Sequence, residues 1–277
     1  HEDYSDFGNT TSGALAARYD FTDSFALRGS ASTGFRAPSL GQEYFSQIGS
    51  LFYGNGALPG LPAGIYNRGL VPVGSQIATL LGAEPLKPEK SKNFTLGAVW
   101  NATDALNLSL DLYQIDITNR IALSGAISTT TPAVVSYLAA HGVTNLNYSS
   151  VNYFTNAGDT RTRGVDFVGT YLADFGSAGT LTTTLSANYN QNKVTSIKPN
   201  PAVLSSLGNT GFVRLNRQDI KGYLGNSSPR SKLILNEQYE IGQWSFTGTL
   251  TRYGRYTSYV SSLATYNPAK GIVDQTF

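Results

Sequence analysis

Phe25-Ala-Leu-Arg-Gly-Ser-Ala-Ser-Thr-Gly-Phe-Arg36 reads differently at its odd and even positions. The odd set is Phe25, Leu27, Gly29, Ala31, Thr33 and Phe35; the even set is Ala26, Arg28, Ser30, Ser32, Gly34 and Arg36. The first is apolar with an aromatic at each end. The second is polar and twice cationic. Side chains alternate across a strand, so a period of two predicts a β-strand with one apolar and one polar face.

The same period recurs on both sides of this stretch. Leu15, Ala17, Tyr19 and Phe21 alternate with Ala14, Ala16, Arg18 and Asp20. Phe94, Leu96, Ala98 and Trp100 share a face. Leu181, Leu185, Ala187 and Tyr189 oppose Thr182, Thr184, Ser186, Asn188 and Asn190. Trp244, Phe246 and Leu250 oppose Ser245, Thr247, Thr249 and Thr251. Two stretches are less regular. Leu106, Leu108, Leu110 and Leu112 share a face, after which the apolar phase moves to Tyr113, Ile115 and Ile117. Either a β-bulge near Leu112–Tyr113 restores the alternation, or the upper half of the strand has left the lipid. Leu233 and Leu235 are followed on their face by Glu237, a carboxylate that the alternation does not place.

The connections alternate in length. Short ones fall at Thr22–Ser24, Asn101–Ala105, Asp174–Ala178 and Ile241–Gln243; long ones run at about Ala37–Ser91, Ala122–Asp159 and Ser196–Ser228. An antiparallel meander puts the short turns at one end and the long loops at the other, as in outer-membrane barrels with short periplasmic turns and longer extracellular loops. Phe21, Phe25, Trp100, Tyr171, Phe175, Tyr239, Trp244 and Phe246 crowd the short-turn end, where an interfacial aromatic girdle belongs. The competing soluble architectures, a β-sandwich or a propeller, have shorter strands and more uniform loops. The alternation therefore predicts Leu27, Phe35, Phe94, Leu181, Leu185 and Phe246 facing lipid, and Arg28, Arg36, Ser186, Asn188, Thr247 and Thr249 facing the lumen.

Composition agrees. Charged residues make up 14% of the 277 residues, well below the roughly 25% of ordinary globular domains, while aromatics reach 12% with 17 Tyr. A net charge of +2 gives no hint of a nucleic-acid partner. The best apolar run, Ala133–Ala140, is broken by Ser136 and falls far short of the roughly 18 residues of a membrane helix. A barrel strand needs only about 9–11 residues. Without Cys, the chain offers neither disulfide nor thiolate. Without Met, and with no signal peptide following His1, it is expected to be a mature form or a fragment.

Four segments resemble TonB-dependent receptors. The first runs Leu27 to Leu40 and ends in GFRAPSL; the second, Leu86 to Gly97, has the pattern LKPEKSxNxxLG. The third is Leu108 to Ile121 (LSLDLYQIDITNRI), and the fourth Asn156 to Phe167 (NAGDTRTRGVDF). They occur in the family's order and spacing. The resemblance implies an all-β fold, an antiparallel up-and-down transmembrane β-barrel of about 22 strands enclosing an N-terminal plug, and location in the bacterial outer membrane. It also implies the partners: outer-membrane lipid and lipopolysaccharide, the receptor's own plug, TonB through an N-terminal segment, and a small-molecule ligand such as a metal chelate. Residues 1–277 are expected to be part of that barrel, about eight full strands with a trace of another at His1–Tyr4 and the beginning of one at Gln275–Phe277, without plug or TonB-contacting segment. Such a piece alone should neither close into a barrel nor transport.

Physical chemistry reads the same motifs. Pro38 and Pro88 bracket a long loop, each lacking a donor where its strand ends. Gly164, at the start of a strand, predicts a bulge or a close backbone approach. Arg36 and Glu89 are placed to pair across the loop base. His1 and His141 have no partner at ligand spacing, so no protein-held metal, cofactor or enzymatic activity is expected. Gly54–Gly60 reads as a loop tip rather than a phosphate cradle. Asp111 and Asp116, five apart, face opposite sides of an unbroken strand.

Three function classes follow: an energised receptor importing a ligand too large for porins, with ferric siderophores first, carbohydrate or cobalamin next, and haem behind them because His141 is the only loop histidine; a passive porin; and a non-transporting surface protein. The ligand is expected on the long-loop side, where specificity can vary without disturbing the barrel. Tyr53, Tyr66, Arg68, Tyr153, Arg214 and Arg217 are the candidate contacts. Aromatics offer flat apolar area, and Arg offers forked donors to anionic oxygens. The set suits an anionic, partly aromatic chelate.

Overall fold

Alternation becomes architecture in eight strands: β1 (Ala14–Asp20), β2 (Phe25–Arg36), β3 (Glu89–Thr103), β4 (Leu106–Leu123), β5 (Phe154–Asp174), β6 (Thr180–Ile197), β7 (Ser231–Ile241) and β8 (Trp244–Tyr253). The structure, a computed structural model, describes residues 2–4, 8–56, 62–144, 148–208, 214–215, 228–258 and 273–275. The eight strands lie side by side in chain order, every pair antiparallel. This is an up-and-down meander, open at β1 and β8: a partial barrel. Glu2–Tyr4 pairs with Gly8–Thr10, and Tyr256–Ser258 with Val273–Gln275, each as a separate two-stranded sheet. Phe277, Gly60 and Arg217 lie outside the described residues.

Cross-strand partners share a face, so the register tests the expected sidedness. Leu27 stands opposite Tyr19 and Ala98, and Phe94 opposite Ala31. Leu185 stands opposite Leu235, itself opposite Leu250. Leu181 reaches Phe246 through Tyr239. Leu15, Leu250 and Phe246 are 76%, 68% and 57% exposed, an apolar surface that water would not tolerate and lipid covers. The opposite face runs Arg28, Gly97, Asp111, Asp166, Asn188 across five strands. At the short-turn end Tyr19 and Phe21 meet edge to face at 4.7 Å, and Trp244 stacks on Phe246 at 6.4 Å, supplying the girdle.

The bulge at Leu112–Tyr113 is not there. The β3–β4 register runs unbroken from Lys90 opposite Thr118 to Asn101 opposite Asn107. The second reading holds: above Leu112 the outward face turns to Gln114 and Asp116, and Tyr113, Ile115 and Ile117 fill the inward one. Keeping the ladder preserves every backbone hydrogen bond, whereas a bulge leaves one residue unpaired. The register breaks instead at Asn101/Thr103 and on β5 between Asn156 and Thr160. Asp111 and Asp116 accordingly face opposite sides. Glu237 sits on the lipid-side face opposite Thr183 and Gly248, and the Thr183 hydroxyl donates to it at 2.6 Å.

Candidate ligand site at the long-loop end

The three long connections fold together over one end of the sheet. They carry α1 (Leu40–Tyr44), α2 (Gln76–Leu80), α3 (Pro132–Ala140) and α4 (Ala202–Ser206). They also carry a four-stranded sheet of Gln47–Tyr53, Gly64–Leu70, Ser150–Asn152 and Ile127–Ser128. Local signals set the helix starts: Ser75 caps α2 by accepting from the Ala78 amide, and Pro132 opens α3, where a missing N–H costs nothing. Val71, Ile77, Leu81, Ile127, Val134, Leu138, Val151 and Leu204 close into one apolar core drawn from all three connections. The loops thus behave as a packed cap, held by burial at about 25 cal/mol per Å² of apolar surface.

The motif residues fix this cap to the sheet. Arg36 donates through Nε and Nη2 to Glu89 at 3.0 and 2.9 Å, as expected from sequence. Glu89, only 4% exposed, also accepts from the Ile121 amide at 2.8 Å and lies 3.8 Å from Arg120 Nε. The Asn156 side chain donates to the carbonyls of Lys87 and Asn119 and accepts from the Lys87 amide, all within 2.8 Å. Asp159 accepts from the Asn119 amide and the Ser196 hydroxyl. Inside the lumen, Arg28 forms a forked ion pair with Asp111. A Cβ on Gly97 would lie 2.0 Å from Asp111 Oδ1, and one on Gly164 2.3 Å from the Tyr113 ring. Gly164 therefore marks a close approach rather than a bulge. Tyr113 in turn accepts from Asn188 at 3.2 Å.

The candidate contacts separate into two groups. Tyr53, Tyr66 and Arg68 lie on the hairpin Gln47–Tyr53/Gly64–Leu70. Leu51 stands opposite Tyr66, and Gly49 opposite Arg68, so alternation puts Leu51, Tyr53, Tyr66 and Arg68 on one face. The Tyr53 and Tyr66 rings are 6.2 Å apart, edge to face. Tyr66 donates to the Pro62 carbonyl, and Arg68 Nε to Asn152 Oδ1 at 2.6 Å. Asn152, which sequence reasoning missed, anchors the Arg68 guanidinium and donates to the Ser124 carbonyl. Its sequence neighbourhood carries no signal for that role.

Tyr153 and Arg214 belong to the second group, inside the cap. Tyr153 is 1% exposed and donates from its hydroxyl to the Leu81 carbonyl at 3.0 Å. Burial pushes its pKa up to about 12, against the pull of the Arg214 charge. Arg214, 8% exposed, donates to the Pro199 carbonyl and the Thr155 hydroxyl. Both side chains are packed within the cap. Both were singled out as loop residues, and the loop turned out to have an interior.

A sheet whose outward face is apolar, whose inward face is polar and whose long loops share one end is the geometry of an outer-membrane barrel wall. The sequence model for the TonB dependent receptor-like, beta-barrel family matches residues 1–276. The chain belongs to the TonB-dependent receptor β-barrel family. Such barrels are proteins of the Gram-negative outer membrane, and the family consists of transport receptors rather than enzymes. Among solved structures, the barrel is similar to a ferric enterobactin receptor (PfeA) mutant from Pseudomonas aeruginosa, at 17% identity and a TM-score of 0.54, over 91% of this chain and 29% of that one. It is similar to the siderophore receptor PirA from Acinetobacter baumannii at 19% identity and a TM-score of 0.53, over 92% and 30%. At these identities the likeness is one of fold, and the chain spans under a third of either receptor's length. No curated protein matches the sequence.

Proposed function

We propose that the protein acts in TonB-energised uptake of a ferric siderophore across the outer membrane, with its own plug and TonB as partners. The observation that carries this reading is the shared hairpin face of Tyr53, Tyr66 and Arg68 at the long-loop end. Two aromatic rings beside a guanidinium match a chelate that is anionic at its metal centre and aromatic at its rim. Family membership supports the energised route over a passive porin, and the similarity of fold to a ferric enterobactin receptor and a siderophore receptor agrees with it. Arg68 is held by Asn152 rather than by a carboxylate, so its charge is not neutralised within that contact.

The test is binding of ferric catecholate and hydroxamate chelates by the full receptor, with Tyr53→Ala, Tyr66→Ala and Arg68→Ala combined. Losing stacking and a charge-assisted bond should weaken affinity by about 10- to 100-fold, with barrel assembly unchanged. Unaltered affinity in the triple variant sinks the site. Tight binding of a neutral oligosaccharide, with no binding of ferric chelates, moves the protein to a carbohydrate ligand.

A further inference from the structure

Gln47–Tyr53 is an outer strand of the cap sheet, whose order runs Gln47–Tyr53, Gly64–Leu70, Ser150–Asn152, Ile127–Ser128. The edge of a sheet presents unpaired backbone donors and acceptors, and proteins blunt such edges with charge, proline, a bulge or shortness. The far edge obeys that rule. Ile127–Ser128 is two residues long, and the next amide, that of Thr129, is tied to the Ser149 carbonyl at 3.0 Å. Gln47–Tyr53 has none of these devices. Its seven residues, Gln-Ile-Gly-Ser-Leu-Phe-Tyr, carry no charge and no proline. Their register runs without a break from Gln47 opposite Leu70 to Tyr53 opposite Gly64. In an antiparallel ladder, alternate residues bond the partner strand and the rest turn both backbone groups the other way. Among the described residues, no backbone hydrogen bond beyond that ladder reaches residues 47–53.

The side chains around this edge specify what fits it. Ile48, Phe52 and Ile65, the last opposite Phe52, share one face and are 58%, 72% and 73% exposed. They belong to the cap, so the lipid that covers the apolar face of the barrel wall does not cover them. On the other face Gly49 stands opposite Arg68, and a Cβ added to Gly49 would meet nothing within 4 Å. Arg68 holds Asn152 through Nε, and its two terminal nitrogens have no acceptor among the described residues. A strand added to the edge lies two strand spacings from Arg68, roughly 10 Å. A Glu on that strand and the Arg68 side chain together bridge the gap over Gly49.

We propose that this edge docks an extended segment of a partner protein by strand addition, with apolar residues at alternate positions against Ile48 and Phe52 and an acid on the opposite face, across from Gly49. Main-chain hydrogen bonds supply the affinity and the alternating side chains the selectivity. Gln47–Tyr53 contains no acid, so the same strand of a second copy would leave Arg68 without a counter-charge, and the partner is a different protein. The proposal goes beyond the siderophore reading and does not depend on it, since it rests on the strand edge and the Ile48–Phe52 face rather than on the Tyr53 and Tyr66 rings.

The test is fluorescence anisotropy of a labelled peptide, Thr-Val-Thr-Val-Glu-Ile-Thr, with the detergent-solubilised full receptor and no ferric chelate present. Two derivatives carry N-methyl groups on alternate residues, one in each phase. Only one phase removes the donors that face the edge, so that derivative should bind roughly 10-fold or more weakly while the other binds like the parent. Ile48→Lys and Phe52→Lys together, the kind of charge that blunts natural edges, should weaken the parent peptide by roughly 10- to 100-fold. Circular dichroism and heat-dependent gel mobility check that this variant assembles. Exchanging the Glu of the peptide for Gln should cost about two- to fivefold in affinity, a difference that Arg68→Ala should abolish. Absence of any anisotropy change at about 1 mM peptide overturns the proposal. Equal affinities of the two N-methylated derivatives overturn it as well, by showing contact that ignores the backbone, and so does a Glu preference that survives Arg68→Ala.

Discussion

Replacing Glu89 by Ala removes the acceptor on which three strand ends converge. Glu89 is 4% exposed and receives two bonds from Arg36 and one from the Ile121 amide. Breaking a fully buried ion pair costs about 3–5 kcal/mol. The Arg36 side chain is 51% exposed and regains water, which lowers the figure. The Ile121 amide cannot recover in the same way, because Ile121 is 7% exposed; an unsatisfied buried donor costs about 1–3 kcal/mol. Together the local loss should be about 2–4 kcal/mol. At 1.36 kcal/mol for each factor of ten, amide exchange at Ile121 should quicken roughly 30- to 1,000-fold. Glu89→Gln keeps an oxygen for that amide, so exchange there should stay within about tenfold of wild type. Hydrogen exchange read by mass spectrometry on peptides covering residues 115–123 measures both. An Ala variant indistinguishable from wild type would refute the role given to Glu89.

Other outcomes follow from the two faces of the sheet. Leu185→Arg puts a charge into lipid at a cost of about 2–4 kcal/mol at mid-membrane and should reduce assembly of the full receptor, while Ser186→Arg, on the lumen face, should not; equal membrane yields would contradict the assigned faces. Gly97→Ala should displace Asp111 from Arg28 and lower stability by about 1–3 kcal/mol, the usual cost of overpacking, whereas Ala98→Ser on the neighbouring outward position should change it far less; heat-dependent gel mobility compares the two.

Much of this architecture was legible because alternation is a local property. Phe25–Arg36 shows its two faces without reference to any other strand, and Leu185 and Phe246 lie where their parity puts them. The Arg36–Glu89 pair was legible because Pro38 and Pro88 mark the ends of the loop that it closes. The step from Leu112 to Tyr113 was ambiguous for a physical reason: a bulge and an exit from lipid produce the same change of phase, and only the pairing with β3 separates them. The cap was not legible. Val71, Leu81, Ile127, Val151 and Leu204 form its core from segments far apart in sequence, with no period to announce it. Tyr153 and Arg214 consequently looked like surface groups; Tyr153 reaches Leu81 of the first loop, and Arg214 is held by Thr155 and Gly125 of the second.

The barrel topology itself is open to a direct measurement, helped by the absence of Cys from this chain. Single cysteines placed in turn from Leu181 to Tyr189 and labelled with a nitroxide report oxygen accessibility in the reconstituted receptor. Oxygen concentrates in lipid, so it should peak at Leu181, Thr183, Leu185, Ala187 and Tyr189 and fall at Thr182, Thr184, Ser186 and Asn188, a period of two along one β-strand of a membrane barrel. A flat profile, or one in which both sets contact only water, would contradict the account.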